Sequence, residues 1–267
     1  MLPYFEIPPL RLGSREFSVS FLLWMGAILA GHILFLRRAG RAGLNRAWAA
    51  EMNACAVAAG IVVGHLSTLL YRPEFRSAVA GHPLLLAQLL AGEASFGIGT
   101  GGAAAVAIYA KWRRMTLDTA LRFVDAGVFV FPLAWILARL ACALAHDHPG
   151  RWTESWLGVQ YPGGARWDLG VCELLYTFVI AGLFLLMDRR RRLPGTYLGL
   201  FLCLYGPFRF AVSFLHVDPV RYGGWTVDQY AGAAVAVAGL VSFHLRSRAG
   251  RSSATSNRRS IVRCGFV

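Results

Sequence analysis

The stretch LRFVDAGVFVFPLAWILARLACALA, residues 121–145, decides the fold. Its charged residues are Arg122, Asp125 and Arg139, and the remainder is apolar or small. As a helix it is long enough to cross about 30 Å of hydrocarbon. Pro132 at its middle is tolerated in a spanning helix, where neighbours satisfy the freed carbonyl. Runs of similar character lie on both sides: Phe17 to Leu36, Ala47 to Tyr71, the Gly-rich Ser95 to Ala110, Leu169 to Met187, Thr196 to Leu215, and Trp225 to Leu245. They predict an all-α polytopic membrane protein of about seven transmembrane helices. Pro83 to Ala91 is too short to span and is expected at the interface or re-entrant.

Composition agrees. Of the 267 residues, 56% are hydrophobic and 15% charged, against the roughly one quarter charged that is usual in soluble domains. The formal net charge of +13 would suit nucleic acid only on a shared solvated face. Here the basic residues cluster between apolar runs, so nucleic acid is not an expected partner. Arg37, Arg38, Arg41 and Arg46, then Lys111, Arg113 and Arg114, then Arg189 to Arg192, then Arg246, Arg248, Arg251, Arg258, Arg259 and Arg263 would all fall on one side; they number 17, against seven in the alternate segments. By the positive-inside rule this predicts an outer N-terminus and a cytoplasmic C-terminus in a bacterial inner membrane.

The expected organisation is a periplasmic arm over 1–16, a seven-helix unit over 17–246, and a basic, disordered cytoplasmic tail over 247–267. The arm carries Pro3, Glu6, Pro8, Pro9 and Glu16 and lacks the basic start of a signal peptide. Cys55, Cys142, Cys172, Cys203 and Cys264 show no CxxC spacing, so neither a metal site nor another cofactor is expected.

Arg122, Arg139 and Arg209 remain within spans. Arg122 is near the inner surface and is expected to snorkel. Arg139 and Arg209 lie about 10 Å from the outer ends of their helices. Two such arginines point either to structural ion pairs or to a shared site for an anion, which in that location is a phospholipid phosphate. Arg139, Cys142 and His146 share one helix face, as do Tyr205, Arg209, Ser213 and His216. Glu173 enters the same outer layer, either as part of the chemistry or as the counter-ion of an arginine.

At these residues the chain resembles the prolipoprotein diacylglyceryl transferases. Asp125, Pro132 and Arg139 keep that family's spacing, and Tyr205-Gly206-Pro207-Phe208-Arg209 is similar to its Tyr-Gly-x-Phe-Arg. Glu173 matches the glutamate of its Tyr-Glu pair, with Cys172 in place of the tyrosine, and Ser95-Phe96 matches the start of its Gly-rich helix. The lining differs elsewhere. Gly97 stands where the family has a histidine, His65 where arginine is common, Ala141 to Asp147 replace a glycine–asparagine segment, and Ser213 and His216 replace a glutamate and an arginine.

The resemblance implies transfer of diacylglyceryl from phosphatidylglycerol to the lipobox cysteine thiol of a prolipoprotein. The expected partners are phosphatidylglycerol, that cysteine and the surrounding membrane lipids. Arg139 and Arg209 would hold the headgroup, and His146, His216 and Glu173 would serve catalysis. Asp125, Tyr205, Ser95 and Cys142 would support them. The alternative is a non-catalytic phospholipid-binding protein on the same scaffold. A transporter is a weaker reading, because no inverted repeat is evident.

Overall fold

The structure is a computed structural model. It describes residues 1–13, 15–87, 95–190 and 192–264, without the side chains of 12, 15, 95 and 246–264. Eight α-helices appear among the described residues: α1 (Val19–Arg41), α2 (Arg46–Tyr71), α3 (Pro73–Gly81), α4 (Ser95–Trp112), α5 (Leu117–Ala145), α6 (Leu169–Met187), α7 (Thr196–Val212) and α8 (Val227–Cys264). Two 3-10 turns, Pro83–Ala87 and Ser213–Leu215, complete the helical structure. α1, α2, α5, α6 and the run Thr196–Leu215 are long and apolar enough to cross a membrane. Large apolar side chains such as Leu29, Val179 and Leu186 are exposed on them, as a lipid-facing surface requires.

The expected third and seventh spans fall on α4 and α8 and are not among these five. α4 is built largely from Gly and Ala, which lowers its hydropathy. Of the interfacial stretch, Pro83–Ala87 is a 3-10 turn, and 88–91 lie outside the described residues. The side chains of the basic tail lie outside them too.

Cap chemistry sets several helix starts. Asn45 accepts from Trp48 N at 3.1 Å, Thr116 from Thr119 N at 3.2 Å, and Asp168 from Val171 N at 3.0 Å. Thr226 and Gln229 form a reciprocal capping box at the head of α8. α7 begins at Gly195, which has no capping side chain of its own. Buried Asp125 on α5 does the work, accepting from Gly195 N at 2.7 Å and Leu198 N at 2.9 Å. Asp125 therefore joins the N-terminal ends of α5 and α7, away from Arg139 and Arg209.

The helix ends sort into two layers. In one, Arg38 pairs with Asp188 at 2.6 Å, Arg113 pairs with Glu51, and Arg122 reaches Ala42 O at 3.4 Å. The Arg38 guanidinium also sits 3.4 Å from the centre of the Phe129 ring, over the core formed by Phe129, Phe184 and Tyr197. This layer gathers the expected cytoplasmic basic clusters.

The opposite layer adds short strands to a fold that is mostly helical. The segment between α5 and α6 forms strands β4 (Pro149–Trp152), β5 (Val159–Tyr161) and β6 (Gly164–Asp168). With β1 (Leu2–Pro3) they make a sheet in the order β1-β5-β6-β4. Gly163, at φ +99°, closes the β5–β6 turn in a conformation that favours glycine. Smaller hairpins, β2 (Leu10–Leu12) with β3 (Arg15–Phe17) and β7 (Arg221–Tyr222) with β8 (Trp225–Thr226), lie in the other outer segments.

Glycine sets the closest helix contacts. A Cβ on Gly97 would collide with Ser67 Oγ and lie 2.5 Å from Val63 O, and one on Gly101 would lie 2.5 Å from Ala59 O. This Gly-xxx-Gly spacing lets α4 press against α2. A Cβ on Gly206 would lie 2.5 Å from Ala236 N, and one on Gly239 2.6 Å from Cys203 N, so α7 and α8 cross as closely. Gly97→His should therefore lower the thermal midpoint in detergent, by overpacking of about 1–3 kcal/mol or more, and leave the chain no better at any reaction. An unchanged melting curve would show that α4 has room there.

Candidate active site

Five helices contribute to one buried ionic chain. Arg139 of α5 meets Glu173 Oε2 at 2.7 Å. Glu173 of α6 also binds Arg209 of α7 through Oε1. Arg209 Nη2 continues to Asp228 of α8 at 2.9 Å, and Tyr71 of α2 donates to the other oxygen of Asp228 at 2.9 Å. The side chains of Arg139 and Glu173 are 4% and 6% exposed, so water does little to stabilise their charge. Two guanidiniums and two carboxylates balance, as burial demands.

Tyr205 lies within the electrostatic reach of the same four charges and stacks on Phe201 at 5.2 Å. Arg139 Nη1 approaches Cys142 Sγ at 3.9 Å. The Ser95 side chain lies outside the described residues.

A second cluster sits at the outer end of α5. His146 ends that helix with φ +49° and ψ +33°, an uncommon conformation for a residue with a Cβ. Its Nδ1 is 2.7 Å from Asp168 Oδ2. Tyr161 donates to the same carboxylate oxygen at 2.9 Å and to the His146 carbonyl at 3.2 Å. Asp168 Oδ1 is already taken by its capping bond to Val171 N. The carboxylate thus accepts from every side, which places a proton of His146 on Nδ1. Nε2 is buried and makes no hydrogen bond among the described residues. Tyr4 and Phe5 of the N-terminal arm cover it, each with its ring centre 5.0 Å from the imidazole.

His216 follows the last 3-10 turn and is half-buried. Burial and the nearby Arg209 charge hold its pKa below the ordinary histidine value, so it is uncharged at neutral pH. Arg151 Nε donates to its carbonyl at 3.3 Å. Cys142, Asp147 and His148 place ligand-type atoms within 4.8 Å of one another. Two of the three are exposed, and the Arg139 guanidinium beside Cys142 opposes a cation there.

A sequence model of the prolipoprotein diacylglyceryl transferases matches residues 10–245. The chain belongs to that family. A phosphatidylglycerol–prolipoprotein diacylglyceryl transferase 2 of Clostridium perfringens is 25% identical over 251 residues, covering 90% of this chain and 94% of the relative. The corresponding transferase of Chromohalobacter salexigens is 29% identical over 256 residues, covering 90% and 92%. That of Geobacter sulfurreducens is 28% identical over 229 residues, covering 83% and 86%.

Within this family member, the structure brings Arg139, Arg209, Glu173 and Tyr205 together as the sequence suggested. His146 stands apart from them in its own pair with Asp168. Gly97, at the family's histidine position, is turned into the α2 contact and presents nothing to either cluster. Sequence reasoning missed Asp228, Tyr71, and the partnership of Asp168 with Tyr161. The Thr226-x-x-Gln229 capping pattern would have started α8 at Val227 and placed Asp228 in its first turn, level with Arg209. No sequence signal marks Tyr71 or Tyr161.

Removing Glu173 takes away the carboxylate that Arg139 and Arg209 share and leaves one buried positive charge in excess. Glu173→Ala should cost about 3–5 kcal/mol of stability, read as a lowered thermal or denaturant midpoint in detergent. A midpoint equal to that of the parent would show that the arginines reach water or another counter-ion.

Proposed function

We propose that this chain transfers the diacylglyceryl group of phosphatidylglycerol to a prolipoprotein cysteine thiol, with His146 as the base. The observation that carries this assignment is the His146–Asp168 pair, which presents an unpartnered Nε2 on the face of α5 that also carries Arg139. The thiol gives its proton to Nε2, and the thiolate attacks the glyceryl carbon. The carbon–oxygen bond to phosphate breaks, and glycerol phosphate leaves with the electron pair. Asp168 stabilises the imidazolium that forms.

Arg139 and Arg209 receive the headgroup. Glu173 and Asp228 neutralise the two guanidiniums before lipid arrives, and the phosphate competes with Glu173 for one of them. His216, uncharged beside Arg209, adds no further positive charge to the site. Membership of the family and the two retained arginines support this reading, and the distribution of basic residues supports seven spans in an inner membrane.

The packed position of Gly97 favours a second reading, a lipid-binding family member without transferase activity. Purified protein, labelled phosphatidylglycerol and a lipobox peptide separate the two. Transfer is expected, falling about 10²- to 10⁴-fold in His146→Ala. Lipid binding without transfer would establish the second reading, and a loss in His216→Ala alone would move the base to that residue. Arg209→Lys should weaken phosphatidylglycerol binding although charge is kept, because the planar fork is lost.

Topology reporters test the orientation. Fusions at Arg41, Arg113, Arg190 and Arg258 should report cytoplasm, and fusions at Glu74, Glu154 and Tyr222 the outside. An outside signal at Arg190 would remove the seven-span arrangement.

A further inference from the structure

The outer sheet ends in a strand that is held lightly and covers a buried reactive nitrogen. β1 pairs with β5 in parallel through Leu2 with Val159 and Pro3 with Gln160. Leu2 N donates to Gly158 O at 2.8 Å, whereas Pro3 has no N–H to give. Met1, Leu2, Phe5 and Ile7 are exposed, so the segment buries little apolar surface in return for its own ordering. Beneath it lies His146, 7% exposed, with Nε2 unpartnered. Tyr4 and Phe5 are the rings that seal it. Beside them opens a cavity of about 320 Å³ between the arm and the end of α5, lined by Tyr4, Glu6, Ile7, Ser18, Leu144 and Ala145.

Taking β1 away would bare one edge of β5, whose other edge is occupied by β6. Such an edge presents N–H and C=O groups that select an extended polypeptide backbone. A lipid headgroup has no backbone with which to answer that pattern. A peptide lying where residues 2–5 lie would bring its side chains over His146 Nε2, and the adjoining cavity would admit a small one.

We propose that the β5 edge is the docking strand for an extended acceptor peptide, and that β1 with Tyr4 and Phe5 is a displaceable cover holding that place when no acceptor is bound. The site takes a peptide of apolar character with a thiol-bearing residue beside His146. This rests on the transferase reading for the fate of the thiol, but the docking itself can be measured without turnover.

Two variants uncover the edge: deletion of residues 2–7, and the double substitution Tyr4→Gly with Phe5→Gly. Two readouts follow them in the full-length protein in detergent. The first is diethyl pyrocarbonate modification of His146, scored by mass spectrometry. The second is photo-crosslinking from a benzophenone at Gln160 to a lipobox peptide whose cysteine is replaced by serine.

Both variants should be modified at His146 at least about tenfold faster than the parent, because the opening step has been removed. They should also crosslink more peptide at Gln160, and excess peptide should protect His146. Equal modification rates in parent and variants would overturn the cover. Absence of a crosslink at Gln160 in the uncovered variants would overturn the docking edge. Crosslinking and protection without any transfer of lipid to the cysteine peptide would uphold the docking strand while ending the transferase reading. Transfer by the parent with neither crosslink nor protection would do the reverse.

Discussion

The helix layer beneath the sheet depends on the ion chain Arg139–Glu173–Arg209–Asp228, closed by Tyr71. Each member comes from a different helix, so the chain fixes the mutual depth of α5, α6, α7, α8 and α2. A buried ion pair is a poor source of net stability, since desolvation offsets much of the attraction. It is a strict source of register, because sliding any one helix by a turn would leave a charge without its partner. The same balance keeps two guanidiniums at a depth where an unpaired arginine would be costly. An anionic headgroup entering here would meet positive charge already neutralised in its absence.

Glycine crossings do for the helix pairs α2–α4 and α7–α8 what the ions do for the outer layer. They bring backbones together where lipid offers no hydrophobic drive for association. One consequence reaches the chemistry. Because Gly97 lies in such a crossing, a base at that position is sterically forbidden in this packing. Under the proposed transferase reading, the proton acceptor comes from another element. The residue that presents itself is His146, placed by a helix end and oriented by Asp168, which also caps the next helix. A single carboxylate thus starts α6, orients the imidazole and receives Tyr161. Its surroundings are more constrained than those of an ordinary surface histidine.

Much was legible in the primary structure. Apolar length announced the helices, and the basic clusters sorted their ends into two layers that the fold reproduces around Arg38, Arg113 and Arg122. Arg139 and Arg209 stood out because arginine is rarely found at such depth without a purpose. Asp125 was read by its resemblance as a supporting residue of the site. Its role as a cap for α7 needs two elements seventy residues apart to be in contact, and no local pattern records that. The outer strands were missed for a related reason: β1 and β5 are short, and each is recognisable through the pairing it makes.

The sequence by itself determined that the chain is a bundle of apolar helices with two arginines well inside them, because hydropathy, charge and helical period are properties of contiguous residues. The tertiary structure alone decided which carboxylates answer those arginines, that Gly97 faces a helix and not a cavity, and that His146 is oriented by Asp168 beneath Tyr4 and Phe5. Those facts depend on distances between residues remote in the chain, and such distances exist only once the helices have packed.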